Sequence, residues 1–175
     1  MQQALLSVVS LALLFSGLSL MAQQPKIEIP QRTDQERWNR CAYLGMVNSL
    51  MVNVFCKSKG MTVEEIGDWL GKQYAPGWSS NMTPQGYFLG VHRNAMTWPT
   101  AVVEVTAETE NEVTFRSFRA YVPYFGEKGI LYGVTIGEYE KIGMIVNKAI
   151  AEHGGLQIEE KIDGMWWVTT VSKKK

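Results

Sequence analysis

His92 is the one histidine of this chain set among apolar neighbours, in the segment PQGYFLGVHRNAM. A neutral imidazole there could act as a general base or as a ligand to a metal or haem. No second residue stands at a spacing suited to share such a site, so a hydrogen-bonded structural histidine is the competing reading. His153 falls in the last turn of a later helix, where positive charge favours the helix end. Glu104 interrupts the apolar run AVVEVTA, and Arg116 and Arg119 lie in VTFRSFRAY. A hairpin would set Glu104 opposite one of these arginines. The result is either a cross-strand pair on a solvated face, worth about 0.2–1 kcal/mol, or an anchor for a carboxylate or phosphate gripped by arginine. Strand alternation sends Arg116 and Arg119 to opposite faces, so only one can reach a cavity. His92 and Glu104 are the catalytic candidates, and Arg119 is a ligand-binding candidate.

The aromatic residues are the more suggestive set. Tyr87, Trp98, Tyr121 and Trp166 are candidate ligand contacts, drawn from a group that also holds Trp78, Phe88, Tyr124, Phe125 and Trp167. Aromatic core packing is the default for such residues. A pocket wall is the alternative, because ligand sites are mostly apolar with a few polar groups. Adjacent Trp166 and Trp167 must point to opposite faces of a strand. The sequence holds no GxSxG elbow, HExxH, Cys-x-x-Cys or phosphate loop. Neither a metal site nor a cofactor is expected. Asn81-Met82-Thr83 fits a glycosylation sequon and equally the cap of a helix.

The elements that must position these residues are readable in turn. Thr33-Asp34-Gln35-Glu36, Thr62-Val63-Glu64-Glu65 and Thr135-Ile136-Gly137-Glu138 all have capping-box form. Thr83-Pro84 offers a cap followed by proline at the first helical position. The first helix runs to about Ser58. Its middle, CAYLGMVNSLMVNVFC, is apolar on nearly all sides, which predicts burial at the centre of the domain. Asn48 and Asn53 interrupt it, about 140° apart around the helix axis. One should be solvated, and the other should bond a backbone carbonyl or the polar end of a ligand. The second helix is expected to bury Ile66, Trp69 and Leu70. Ala101 to Ala107 and Val113 to Tyr121 read as a hairpin. A helix from Thr135 to about His153 follows. Leu156 to Ile162 and Met165 to Val171 form a last hairpin around Asp163-Gly164. The expected fold is α+β, with about three N-terminal helices followed by hairpin, helix and hairpin, which build a four-stranded antiparallel sheet.

Residues 1–22 carry no charged side chain and read as a secretory signal peptide, cut between Ala22 and Gln23. Residues 23–32 form an extended leader, 33–172 a single α+β domain and 173–175 a basic tail. The protein is then periplasmic or secreted. An uncleaved membrane anchor is the alternative, since roughly 20 apolar residues span a bilayer. Lys+Arg and Asp+Glu number 17 each, which leaves no electrostatic footprint for nucleic acid. Cys41 and Cys56, if on one unbroken helix, lie about 22 Å apart at 1.5 Å per residue. That exceeds disulfide reach, so both are expected as buried thiols.

In the last part of the chain a helix ending in Gly154-Gly155 leads into LQIEEKIDGMWWVTTV. With the element order above, this resembles a group of ligand-binding domains. They are the 4-vinyl reductase-type domains, the haem/nitric-oxide-binding domains and the L-2-amino-thiazoline-4-carboxylic acid hydrolase-like proteins. The resemblance covers most of the mature chain as topology and about the last forty residues as sequence. Those families often carry cysteine near the last strand, where this chain has Met165, Trp166 and Trp167. The resemblance implies a cavity between helices and sheet that holds a small, largely apolar molecule. It supplies no catalytic residue and no cofactor here. Three functions therefore compete: an exported module binding a small apolar or amphipathic ligand, a hydrolase-like enzyme in the same cavity, and a non-catalytic interaction module.

Overall fold

A computed structural model describes residues 31–174. The signal segment, its cut at Ala22 and Gln23, and most of the leader lie outside the described residues. From Thr33 onward the chain forms one compact unit. Its helices are α1 (Asp34–Ser58), α2 (Val63–Tyr74), α3 (Pro84–Ala95) and α4 (Ile136–His153). Thr33, Thr62 and Thr135 close complete capping boxes with Glu36, Glu65 and Glu138, while Thr83 caps α3 through the Gly86 amide. Each cap satisfies backbone donors that the first helical turn leaves free.

Strands β1 (Val103–Glu108), β2 (Glu112–Phe118), β5 (Leu156–Asp163) and β6 (Trp166–Lys173) form one antiparallel sheet in the order β1-β2-β6-β5. The fold is thus α+β with a four-stranded antiparallel sheet. A short ladder of β3 (Ile130–Leu131) and β4 (Val134–Thr135) stands apart from it, just before α4. The inner face of the sheet presents Val113 and Phe115 of β2, Val171 of β6 and Leu156 of β5, all essentially inaccessible. These residues share the main core with Tyr87 of α3 and with Ile150 and Ala151 of α4. The last hairpin turns at Gly164-Met165, one residue beyond the expected pair, because Asp163 still pairs with Trp166. Gly164 takes φ 56° there, a conformation in which glycine carries no steric penalty.

Helix α1 departs from expectation. It buries only Met46, Leu50, Asn53 and Cys56; Met46 and Leu50 pack around Phe125 and Val134, from the 3-10 segment Val122–Phe125 and β4, and Cys56 packs with Ile66 and Ile142 of α2 and α4. Leu44, Met51, Val52 and Phe55 are exposed, Phe55 to 61%. The helix lies at the flank of the unit because its apolar residues surround it evenly and mark no single inward face. Cys41 and Cys56 share this helix unbridged, and Cys41 is exposed where burial was expected. Asn48 is exposed and Asn53 buried. The Asn53 Oδ1 is the one buried side-chain polar atom without a partner among the described residues.

The centre of the helical layer is the pairing of α2 with α4. Ile66, Gly67 and Gly71 face α4, and Trp69, about 100° round the helix from Leu70, is 45% exposed. A Cβ on Gly71 would sit 2.7 Å from the Ala149 Cβ, and one on Gly67 would sit 2.8 Å from the Ile145 Cβ. The two glycines, one turn apart, let the helices approach closely. Gly71→Val should therefore lower the unfolding free energy by about 1–3 kcal/mol through overpacking. Gly45→Ala, on exposed α1 with nothing within 4 Å, should raise it by about 0.5–1 kcal/mol. Urea denaturation measures both, and equal shifts of the same sign would contradict this packing.

Candidate functional site

Between α3, α4 and the inner face of the sheet lies a cavity of about 620 Å³. That is within the range of small-molecule sites. Trp78, which follows the 3-10 segment Ala75–Gly77, packs its ring 5.7 Å from that of Tyr87 on α3. Phe115 and Trp167 come from the sheet, and Val146 and Ile150 from α4. Their placement follows from strand parity. Ser117 of β2 pairs with Trp167, and Trp167 pairs with Ile162 of β5. Directly paired residues share a face, so Trp167 points inward with Ile162.

The same parity puts a carboxylic acid on the apolar face. In β5, Leu156, Ile158, Glu160 and Ile162 alternate with Gln157, Glu159, Lys161 and Asp163. Glu160 therefore points inward, under α4. Its Oε1 accepts three hydrogen bonds: from Asn147 Nδ2 at 3.0 Å, Trp167 Nε1 at 2.8 Å and Thr169 Oγ1 at 3.2 Å. Its Oε2 accepts none, yet it is not a sealed, unpaired atom. It keeps free surface where the carboxyl group borders the cavity. Burial pushes the Glu160 carboxyl up to about 7, although the three hydrogen bonds pull the other way. Tyr87, 1% exposed, has a hydroxyl that bonds to no described residue. Burial, with the nearby Glu160 charge, raises its pKa well above the usual phenol value.

A second polar cluster stands at the other end of the cavity. Glu140 of α4 is buried, and its Oε1 accepts from Arg119 Nε at 2.7 Å, from Arg119 Nη2 and from the Tyr121 hydroxyl at 2.9 Å. Arg119 Nη1 donates to the Gly164 carbonyl at 2.6 Å. Burial disfavours the Arg119 charge, but its bonds to Tyr121 and Glu140 outweigh that and raise its pKa overall. Burial is also the largest cause holding the Tyr121 hydroxyl protonated. The guanidinium is thus committed to protein partners, and its charge is neutralised by Glu140.

Of the residues singled out from sequence, Tyr87, Trp98, Arg119 and Tyr121 line the cavity. His92, Glu104 and Trp166 do not. The His92 ring packs 6.0 Å from Phe88. Glu104 pairs with Arg116 across β1 and β2, with an Nη2–Oε2 distance of 2.6 Å and both side chains over 40% exposed. The Arg116 guanidinium stacks 4.2 Å over the Trp166 ring. Trp166 therefore lies on the outer face, and Trp167 takes the inward place. Glu160, Asn147 and Thr169 were missed, though the alternation of β5 marks Glu160 as an acid in an apolar register.

Neither a family model nor a curated protein nor a solved structure matches the chain.

Proposed function

We propose that the chain is an exported protein whose single domain holds a small apolar or amphipathic molecule in the cavity between α3, α4 and the sheet. The observation that carries this reading is the aromatic-walled cavity of about 620 Å³. Export rests on the uncharged, apolar residues 1–22, and the likeness in topology to ligand-binding domains agrees with the position of the cavity. Among the described residues, no helix is long and apolar enough to cross a membrane.

The test uses a neutral apolar fluorophore, N-phenyl-1-naphthylamine. It should bind saturably and quench Trp167 or Trp78 fluorescence. Val91→Trp, which fills the cavity wall, should weaken that binding at least tenfold while the circular dichroism spectrum is kept. No saturable binding to the unaltered protein would overturn the reading.

The exposed apolar row on α1, with Leu44, Met51, Val52 and Phe55, favours the interaction-module alternative. A reaction in the cavity would draw on Glu160 in place of His92 and Glu104, because Glu160 is the acid that borders it.

A further inference from the structure

The two ends of the cavity differ in what they offer a ligand. At one end, Arg119 and Glu140 satisfy each other, and Tyr121 joins them. No charge is left over there. At the other end, Glu160 and Tyr87 line the cavity, and neither Glu160 Oε2 nor the Tyr87 hydroxyl bonds to a described residue or is sealed from solvent. Both oxygens can accept a hydrogen bond. The carboxylate is the one acidic group on the wall whose charge no described cation compensates. Trp78, Tyr87 and Trp167 line the same cavity, and Trp167 turns its N–H edge to the carboxylate. A carboxylate with no compensating cation attracts one, and attraction is stronger where water is excluded. An anionic head would meet Glu160 itself, and a neutral hydroxyl would leave its charge unanswered.

We propose that the cavity selects an amphipathic ammonium compound, its cationic nitrogen held by Glu160 Oε2 and the Tyr87 hydroxyl and its apolar part lying against Phe115, Val146 and Ile150. This rests on the reading of the cavity as a ligand site and narrows it to a chemical class. Oε1 is already fixed by Asn147, Trp167 and Thr169, so the carboxyl group is oriented before the ligand arrives. Such preorganisation reduces the ordering cost of binding.

The groups that face Glu160 also bear on its protonation. Asn147 comes from α4, Trp167 and Thr169 from β6, and Tyr87 from α3. Arg119, Tyr121 and Tyr74 complete the ionisable groups of the wall. Burial raises both Tyr87 and Tyr121, and the net shift of Arg119 is also upward. Acidification should therefore act on ammonium binding through Glu160.

The experiment displaces N-phenyl-1-naphthylamine from the full domain with three eight-carbon probes: octylammonium, 1-octanol and octanoate. At pH 8, octylammonium should bind at least tenfold more tightly than the other two. Glu160→Gln should abolish that preference by weakening octylammonium at least tenfold relative to 1-octanol, and Tyr87→Phe should reduce it partly. At pH 5.5 the unaltered protein should lose most of the octylammonium preference, a check independent of any variant. If the fluorophore binds but 1-octanol or octanoate competes as well as octylammonium, the ammonium assignment fails and the ligand cavity stands. Retention of the preference in Glu160→Gln overturns the assignment too. If the fluorophore itself does not bind, the cavity reading falls and this inference with it.

Discussion

Arg119→Met lowers the unfolding free energy by about 3–5 kcal/mol, and adding Glu140→Leu returns at least half of the loss. The expectation rests on burial. The Arg119 and Glu140 side chains are only 11% and 10% exposed. Removing the arginine strands a carboxylate in the low-dielectric layer between α4 and the sheet, with only the Tyr121 hydroxyl to bond it. A broken buried pair costs far more than the intact pair contributes, because the remaining charge loses both water and partner. Replacing both members by apolar residues removes that penalty. The loss would be a large share of a domain's usual stability of about 5–15 kcal/mol. It should be read from urea denaturation, with the double mutant closing a thermodynamic cycle. Additive single effects, or a loss below about 1 kcal/mol for Arg119→Met, would show that the pair is solvated and free to serve a ligand. The exposed pair Glu104–Arg116 is the internal comparison. It lies over 40% exposed on the outer face, and its removal should cost less than about 1 kcal/mol.

These two pairs show how far the sequence carried. The hairpin of β1 and β2 is legible from its β-branched residues, and with it the meeting of Glu104 with one of Arg116 and Arg119, which the register gives to Arg116. Arg119 was assigned to a ligand because its partner comes from α4, and no local pattern links Arg119 to Glu140. Helix caps were legible because each is written within four residues. The place of α1 was not. Its apolar residues mark no inward side, so composition alone suggested the centre of the domain, and the glycine pair Gly67 and Gly71 instead gave that place to α2 against α4. Trp167 and Glu160 are a different case. The period-two pattern of β5 sets Leu156, Ile158, Glu160 and Ile162 on one face, and pairing across the turn puts Trp167 on that same face. The signal was present. It is weak, because a single glutamate between two apolar residues of a strand is most often solvated.

Glu160 also sets the pH dependence of stability. Its pKa is raised to about 7 in the folded protein from an ordinary value of 4.5. An acid raised on folding binds more protons folded than unfolded between those two values. The unfolding free energy therefore falls as pH rises from about 4.5 to about 7 and levels off above. The contribution is on the order of 3 kcal/mol, at 1.36 kcal/mol for each pH unit between the two values. Glu64 and Glu138 work in the opposite direction and at lower pH. Their hydrogen bonds to Lys141 and Lys57 hold their carboxyls below the usual range, so stability from them is lost as pH falls below about 4.5. Comparing the unaltered protein with Glu160→Gln at each pH cancels these other groups. The glutamine can keep its oxygen on Asn147, Trp167 and Thr169, and it carries no charge to bury. The two proteins should be similar in stability near pH 4.5, and the variant should lead by up to about 3 kcal/mol at pH 8. A bound ammonium ion should narrow that gap by stabilising the carboxylate, so the cost of holding Glu160 inward is offset when the cavity is filled. Parallel stability curves for the two proteins from pH 4.5 to 8 would mean that water reaches Glu160 freely, and the acid would then be an ordinary surface residue.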